Sequence, residues 1–136
     1  MAETKSITIS IPGKAHGKAR PRMIRKTGVV YQPDPGNFQM RVSEYAWAAG
    51  LRPVEGPMKV DIVVYRRIPD SWSKKRKVAA MGSPLVGVPD AVNIEAVIHD
   101  ALKAIAYFDD KQVSDASIRR RWSDQDMVMI TVTEAE

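Results

Sequence analysis

Four stretches of the chain alternate apolar with polar residues, which is the pattern of half-buried β-strands. The first covers 6–11, with Ile7, Ile9 and Ile11 on one face, and ends at Pro12-Gly13. The second covers 57–66 and carries Met58, Val60, Ile62 and Val64 on one face. Two more, 113–122 and 127–133, are separated only by the polar residues 123–126, so they predict a β-hairpin.

Two longer stretches have helical spacing instead. After Asn37, a candidate N-cap, apolar residues at 38, 42, 45, 46 and 49 predict a helix that Gly50 closes. The clearest helix begins at Asp90 or Asn93, either of which can cap it. Its apolar stripe follows the i, i+3, i+4, i+7 rule and comprises Ile94, Val97, Ile98, Ala101, Leu102 and Ile105.

The predicted order is strand, loop, helix, strand, short helix, helix, strand, strand. The loop covers the basic residues 14–26, and a short extended piece follows at 29–31. Ser73 can cap the short helix over 74–81, with Gly82 behind it. One mixed sheet with helices packed on one side would bury every apolar face, so we expect a single α+β domain spanning residues 1–136.

Composition excludes several classes of protein. The 136 residues include no cysteine, so disulfides, zinc–thiolate sites and thiol nucleophiles are excluded. No apolar run approaches the roughly 20 residues that span a bilayer, and the N-terminus lacks the apolar segment of a signal peptide. We therefore expect a cytoplasmic protein with no membrane association.

Charge points towards a polyanionic partner. Twenty-one Lys and Arg against sixteen Asp and Glu give a net charge of +5, and neutralising phosphates is the main source of non-specific nucleic-acid affinity. The cations fall in three clusters, which are Lys18, Arg20, Arg22, Arg25 and Lys26; Lys74, Lys75, Arg76 and Lys77; and Arg119, Arg120 and Arg121. In a strand, Arg119 and Arg121 share one face and Arg120 the other, so only some of these cations can contact one DNA backbone.

Three aspartates flank the long predicted helix. Asp90 precedes it, and Asp109 and Asp110 follow it. About 15 helical residues span roughly 22 Å, so the acids meet only if the next strand runs back alongside the helix. Clustered carboxylates would bind Mg²⁺ for phosphodiester cleavage. The alternative is that Asp90 is a cap and Asp109-Asp110 a turn, a role for which these residue types are also suited.

Neither histidine offers a metal site. His16 and His99 lack a partner at metal-ligand spacing. His99 is on the polar side of the long helix and could face the acidic site, although an ordinary surface position is the favoured interpretation. Trp72 and Trp122 stand beside basic clusters and can stack on bases, although core packing is the favoured role for Trp122.

Several segments together resemble the RusA family of Holliday junction resolvases carried by phages and prophages. They are Gly17-Lys18-Ala19-Arg20-Pro21-Arg22, Ile68-Pro69-Asp70-Ser71-Trp72-Ser73-Lys74-Lys75, Pro89-Asp90 with Asn93, Asp100-Ala101-Leu102, and Asp109-Asp110-Lys111-Gln112-Val113. The match runs from about residue 5 to the C-terminus, in order and with consistent spacing.

The resemblance implies a magnesium-dependent endonuclease in DNA recombination and repair. Such an enzyme is a homodimer that grips a four-way DNA junction and makes paired, symmetric nicks. In the family, three aspartates bind Mg²⁺ and a lysine assists. The matching positions are Asp90 for the first aspartate, Asp110 for the third with Asp109 beside it, and Asn93 for the family's asparagine.

Three charged positions of the family pattern are absent. Val88 replaces a lysine, Val92 replaces the second aspartate, and Ala96 replaces the assisting lysine. Val92 and Ala96 are i and i+4, so they share a helical face that His99 and Lys103 continue. Lys103 is about two turns too far along the helix to replace the lysine that is absent at Ala96. Glu95 is about 100° around the helix from Ala96, so it is a poor substitute for the missing aspartate.

Three hypotheses follow. The chain is a working junction-selective endonuclease, a catalytically impaired junction-binding homologue, or a general basic nucleic-acid binder. The residues expected to contact DNA are Lys18, Arg20, Arg22, Arg25, Lys26, Lys74, Lys75, Arg76, Lys77, Lys103, Arg119 and Arg121.

Overall fold

One mixed sheet of four strands organises the computed structural model, which describes residues 5–135. The elements in chain order are β1 (Ser6–Pro12), β2 (Arg22–Met23), β3 (Val30–Tyr31), a 3-10 turn (Pro35–Asn37), α1 (Phe38–Ala48), β4 (Met58–Arg67), α2 (Lys74–Ala80), α3 (Ala91–Leu102), a second 3-10 turn (Asp110–Gln112), β5 (Val113–Ser123) and β6 (Met127–Glu134).

The strand order in the sheet is β1-β6-β4-β5, and it overturns the predicted hairpin. β4 pairs in parallel with β5 and antiparallel with β6, so it lies between the two strands that were expected to pair. Adjacent strands are about 4.8 Å apart, and the connection through residues 124–126 is long enough to cross over one strand. The parallel pairing of β4 with β5 is accommodated by the long connection that contains α2 and α3.

Alternation turns one largely apolar face of the four strands towards α1 and α3, which cover it. In register across the sheet lie Ile9, Ile130, Ile62 and Ile118, and the first three are at most 4% exposed. The buried residues of α1 and α3 belong to the same core cluster. Burying each large aliphatic side chain contributes roughly 1.5–3 kcal/mol. The expected α+β architecture with helices on one side of a mixed sheet is confirmed.

Helix ends differ from the prediction in two places. Asn37 has a left-handed backbone (φ 54°), and its side chain makes no capping hydrogen bond. Asp34 caps α1 instead, because its two carboxylate oxygens accept the backbone N–H groups of Gln39 and Met40 at 2.9 and 3.1 Å. α3 ends at Leu102, so Ile105 packs on the core from the following turn.

The face of the sheet opposite the helices carries no covering element among residues 5–135. We call it the open face. Val63 and Tyr65 of β4 lie there in register with Met129 and Met127 of β6, and all four side chains are half-buried. Within the same residues, no helix combines the length and apolar character needed to cross a membrane.

Candidate acidic groove and nucleic-acid interface

Asp90 is the N-cap of α3. Its Oδ1 accepts the backbone N–H of Asn93 at 2.8 Å, which satisfies one of the unpaired donors of the first turn. The capping role left open between Asp90 and Asn93 therefore belongs to Asp90. The carboxylate is exposed at the helix end, where the helix dipole favours a negative charge.

Asp109 and Asp110 have separate roles at the turn after α3. Asp109 accepts the backbone N–H of Lys111 at 2.9 Å, and the side chain of Gln112 accepts the Asp109 N–H in return, which completes a capping box. The hydrogen bond from the Lys111 N–H, together with the charges of Lys103 and Lys111, holds the pKa of Asp109 below its usual range. Asp109 stabilises the turn, and the turn leaves Asp110 to line a groove.

This groove, the α3 groove, has a volume of about 460 Å³ between α3 and the start of β5. Its lining residues are Lys18, Glu95, Ala96, His99, Asp100, Asp110, Val113 and Ala116. Lys18 crosses it, with Nζ 3.1 Å from Oδ2 of Asp100, and both side chains remain about half exposed. After α3 the chain turns back alongside the helix, as a meeting of the acids would require, and Asp110 lies beside α3. Asp90 is not among the residues that line the α3 groove.

His99 lines the α3 groove, so of the two positions considered for it, facing the site is the one observed, and the favoured ordinary surface position is wrong. Its side chain is 15% exposed, with Nδ1 3.1 Å from the Tyr107 hydroxyl and Nε2 3.3 Å from Glu95 Oε1. Tyr107 is fully buried and donates to the His99 carbonyl at 3.2 Å. Burial, followed by the charges of Asp110 and Asp100, raises the pKa of Tyr107, so its phenol stays protonated.

The first basic cluster lies on an arm that projects from the domain. We define the arm as residues 20–32, which contain β2, β3 and the turn between them and are exposed throughout. It carries Arg20, Arg22, Arg25 and Lys26, whereas Lys18 precedes it and is paired with Asp100. The arm therefore presents cations that have no acidic neighbour in sequence from residue 14 to residue 33.

The second basic cluster forms α2. The Arg76 guanidinium lies 3.5 Å from the centroid of the Trp72 ring, and Trp72 in turn packs on Trp122 at 5.0 Å. Packing on Trp72 is thus the role of Trp122. Because Arg76 is stacked on an aromatic ring, the lysines at 74, 75 and 77 are the freer charges of this helix.

The third cluster divides between the two faces of β5, as alternation predicts. Arg120 points to the helix side and donates to the carbonyls of Gly87 and Pro89, both at 2.9 Å, which holds the loop before α3. Arg119 and Arg121 pair in register with Val63 and Tyr65 and so lie on the open face. These two arginines are on the opposite side of the sheet from α3.

A family model described as Endodeoxyribonuclease RusA matches residues 12–133. The chain belongs to the RusA endodeoxyribonuclease family. It is also 31% identical to YqaN of Bacillus subtilis (strain 168), an uncharacterized protein, over 94% of this chain and 96% of that protein. The family resemblance found in the sequence motifs is confirmed.

The departures from the RusA pattern are all at the surface near α3. Val88 and Val92 are 84% and 77% exposed, and Ala96 lines the α3 groove. Because the side chains of Val88 and Val92 are exposed, packing does not require an apolar residue at either position, so it does not explain why a charged residue is absent there. Lys103 is the C-cap of α3, and its charge contributes to lowering the pKa of Asp109.

Within residues 5–135, the remaining carboxylates do not complete a metal site. Among residues 5–135, no three His, Cys, Asp or Glu side chains are arranged to hold a metal ion. Asp90 is engaged as a cap, Asp109 in a capping box and Asp100 with Lys18. The three-carboxylate site that the family resemblance implies is therefore not assembled within residues 5–135.

Sequence reasoning missed the Glu95–His99–Tyr107 chain and the Lys18–Asp100 pair. The i, i+4 spacing of Glu95 and His99 was a usable signal, since such residues are neighbours on a helix. Tyr107 and Lys18 lie outside α3 in sequence, and no local pattern indicates that they meet it.

Proposed function

We propose that this RusA-family chain binds four-way DNA junctions as a homodimer and cuts them slowly or not at all. The observation that carries the proposal is the uncharged surface of α3 at Val92 and Ala96, beside a groove that retains Asp110. The alternatives are a fully active resolvase and a general basic nucleic-acid binder.

Charge distribution supports the binding half of the proposal. The acid-free segment 14–33 contains Lys14, Lys18, Arg20, Arg22, Arg25 and Lys26, and α2 adds three exposed or partly exposed lysines. Contacts of this kind release condensed counterions, so affinity should fall steeply with salt. Lys103 is proposed as a further phosphate contact, as are Arg119 and Arg121, which lie on the edge strand β5 at the border of the open face.

Magnesium dependence is part of the proposal. Mg²⁺ often binds through one or two carboxylates plus substrate phosphates. Because residues 5–135 do not assemble a complete metal site, Asp90 and Asp110 would hold the ion only together with the phosphates of bound DNA, with Asp109 and Asn93 as further candidates. When bound, such an ion supplies an activated water and neutralises charge on the phosphate. The protein's own contribution at this site is reduced, because Val92 offers no oxygen ligand and Ala96 offers no cation.

The expected loss of rate is large. Removing one electrostatic contact to the transition state typically costs about 10²–10³ in rate. The effects of two such losses are rarely additive, so we expect a deficit of at least about 10² relative to a chain with both groups restored.

A cleavage assay tests the catalytic half. A labelled four-way junction in Mg²⁺ is incubated with the unaltered chain and with a Val92→Asp, Ala96→Lys double variant, which we expect to nick it at least about 10²-fold faster. Val86→Asp is the matched control, since Val86 is 83% exposed but lies outside the family motif. An unaltered chain that nicks as fast as the double variant would contradict the proposed impairment.

Binding measured on the same junction and on a linear duplex of equal length, at matched salt, tests the other half. We expect tighter binding to the junction. Equal affinity for the two DNAs would contradict junction recognition and favour a general basic binder.

A further inference from the structure

Apolar side chains are concentrated on the arm, where nothing in the described chain covers them. Met23, Ile24, Val29, Val30 and Tyr31 are between 45% and 66% exposed. These residues lie within thirteen consecutive exposed positions, 20–32, which contain no buried or half-buried residue. Exposed apolar residues so closely spaced indicate a contact surface rather than the scattered exposure that is normal for a soluble domain.

The arm is a defined β-ribbon. Arg22 pairs with Tyr31, and Met23 pairs with Val30. Beyond the pairs, the Ile24 N–H donates to the Val29 carbonyl at 2.8 Å, and the Ile24 carbonyl accepts the N–H groups of Thr27 and Gly28 at 3.2 and 2.8 Å. Since cross-strand partners share a face, Met23 and Val30 form an apolar pair on one side, opposite Arg22 and Tyr31.

The base of the arm is fixed against the α3 groove. A Cβ added to Gly17 would lie 2.9 Å from Pro89 Cβ and 3.2 Å from Asn93 Cβ, so the chain approaches the start of α3 too closely for a larger residue. Lys18 then pairs with Asp100, and the Gln32 side chain donates to the Ala19 carbonyl. The arm therefore extends from the edge of the groove that holds Asp110.

Charge identifies DNA as the occupant of this surface. The apolar pair is interleaved with Arg22, Arg25 and Lys26, and segment 14–33 has no acidic residue. A ribbon of this width can enter a DNA groove. Proteins that bend DNA combine cations on the phosphates with apolar side chains inserted between base steps.

We propose that the arm inserts Met23 and Val30 between base pairs at the branch point and unstacks them, while its cations hold the flanking phosphates. The inference rests on the proposed junction binding. Unstacking is least costly where pairing is already interrupted, which would make the arm a determinant of junction selectivity. Tyr31, on the opposite side of the ribbon, is available to stack on an unpaired base.

The test uses a four-way junction with 2-aminopurine beside the branch point, whose fluorescence rises when its neighbours unstack. The full chain is compared with a Met23→Thr, Val30→Thr variant, because threonine suits a strand and keeps the arm's charge. Met40→Gln, which replaces a 55% exposed methionine on α1, is the control. Thermal unfolding checks that each variant is folded, and permanganate reactivity of branch-point thymines is a second measure of unstacking.

We expect the unaltered chain and the control to raise the fluorescence and the thymine reactivity. The double variant should abolish both signals and bind the junction about 10-fold more weakly, with unchanged salt dependence and unchanged affinity for linear duplex. Unstacking by the double variant equal to that of the unaltered chain would overturn the proposal, as would junction binding by the unaltered chain without unstacking. A change confined to oligomeric state would also overturn it and would assign the arm to protein contacts. If the unaltered chain shows no preference for the junction, the proposed function itself fails, which is a separate outcome.

Discussion

His16 lies where the basic loop meets α1. Arg41 holds this loop in place by donating to the carbonyls of Pro12 and Lys14 at 2.6 and 2.9 Å. Burial, and then the charges of Lys14 and Arg41, lower the pKa of His16, although Asp34 partly opposes them. The folded protein therefore disfavours a protonated imidazole at this position.

The pH dependence of stability should follow from this environment. Because the pKa of His16 is lower in the folded chain than its usual 6.5, the unfolded chain binds more protons in this range. Stability should thus be highest above pH 6.5 and decline as the pH falls from 6.5 through the folded-state value. Urea unfolding midpoints at pH 7.5 and 5.5 measure the decline, and His16→Gln should reduce it. The same decline in the variant would exclude His16 as its source.

At the scale of single elements, the cations of α2 are of two kinds, because Arg76 stacks on an aromatic ring whereas the three lysines do not. Ser73 caps the helix by accepting the Arg76 N–H at 3.2 Å, and the Arg76 side chain then stacks on Trp72. No residue of α2 is buried. The contact of Arg76 with Trp72 is the main attachment of α2 to the rest of the chain, and the lysines of the helix face the solvent.

Neutralising the α2 lysines should weaken binding to any DNA. A triple Lys74→Gln, Lys75→Gln, Lys77→Gln variant should reduce the slope of log affinity against log salt by about 2.7 if each lysine contacts one phosphate. Binding titrations on linear duplex at several salt concentrations measure the slope. Lys59→Gln serves as the control, since Lys59 lies on the open face 3.8 Å from Asp61. An unchanged slope in the triple variant would remove α2 from the interface.

At the scale of the whole molecule, the two faces of the sheet are unequal. One is covered by α1 and α3, and the other presents Val63, Tyr65, Met127 and Met129 at its centre. Their cross-strand pairing makes a continuous apolar surface, with hydroxyl pairs such as Thr8 and Thr131 beside it. A second copy of the chain would bury this surface by two-fold symmetry, which is the commonest form of homo-oligomer.

We therefore expect a dimer that depends on the open face. Met129→Glu should give a monomer, because it places a charge at the centre of the apolar surface without disturbing the core on the other face. Light scattering at micromolar concentration, with and without DNA, reports the mass. Met40→Glu on the exposed side of α1 is the matched control and should remain a dimer. A monomeric unaltered chain would contradict the prediction.

The sequence by itself determined the elements and their inward faces. Period-2 alternation in β1, β4 and β6 and the apolar stripe of α3 each depend only on nearby residues, because a side chain's direction follows from the local backbone. The cap at Asp90 and the family motifs are local in the same sense. The α+β class and the membership of the RusA family could both be predicted for that reason.

Only the tertiary structure decided which elements are neighbours. Alternation shows which residues of β5 and β6 face the core, but it does not show which strands are neighbours. The predicted hairpin was wrong because β4 lies between β5 and β6. The α3 groove brings together Lys18, residues from about two turns of α3, and Asp110. A capping box at the turn engages Asp109 and leaves Asp110 to line the groove. The sheet order buries the core face against α1 and α3, and the turn after α3 pairs its polar groups. Both arrangements depend on contacts between residues far apart in the sequence, which no local pattern of residues contains.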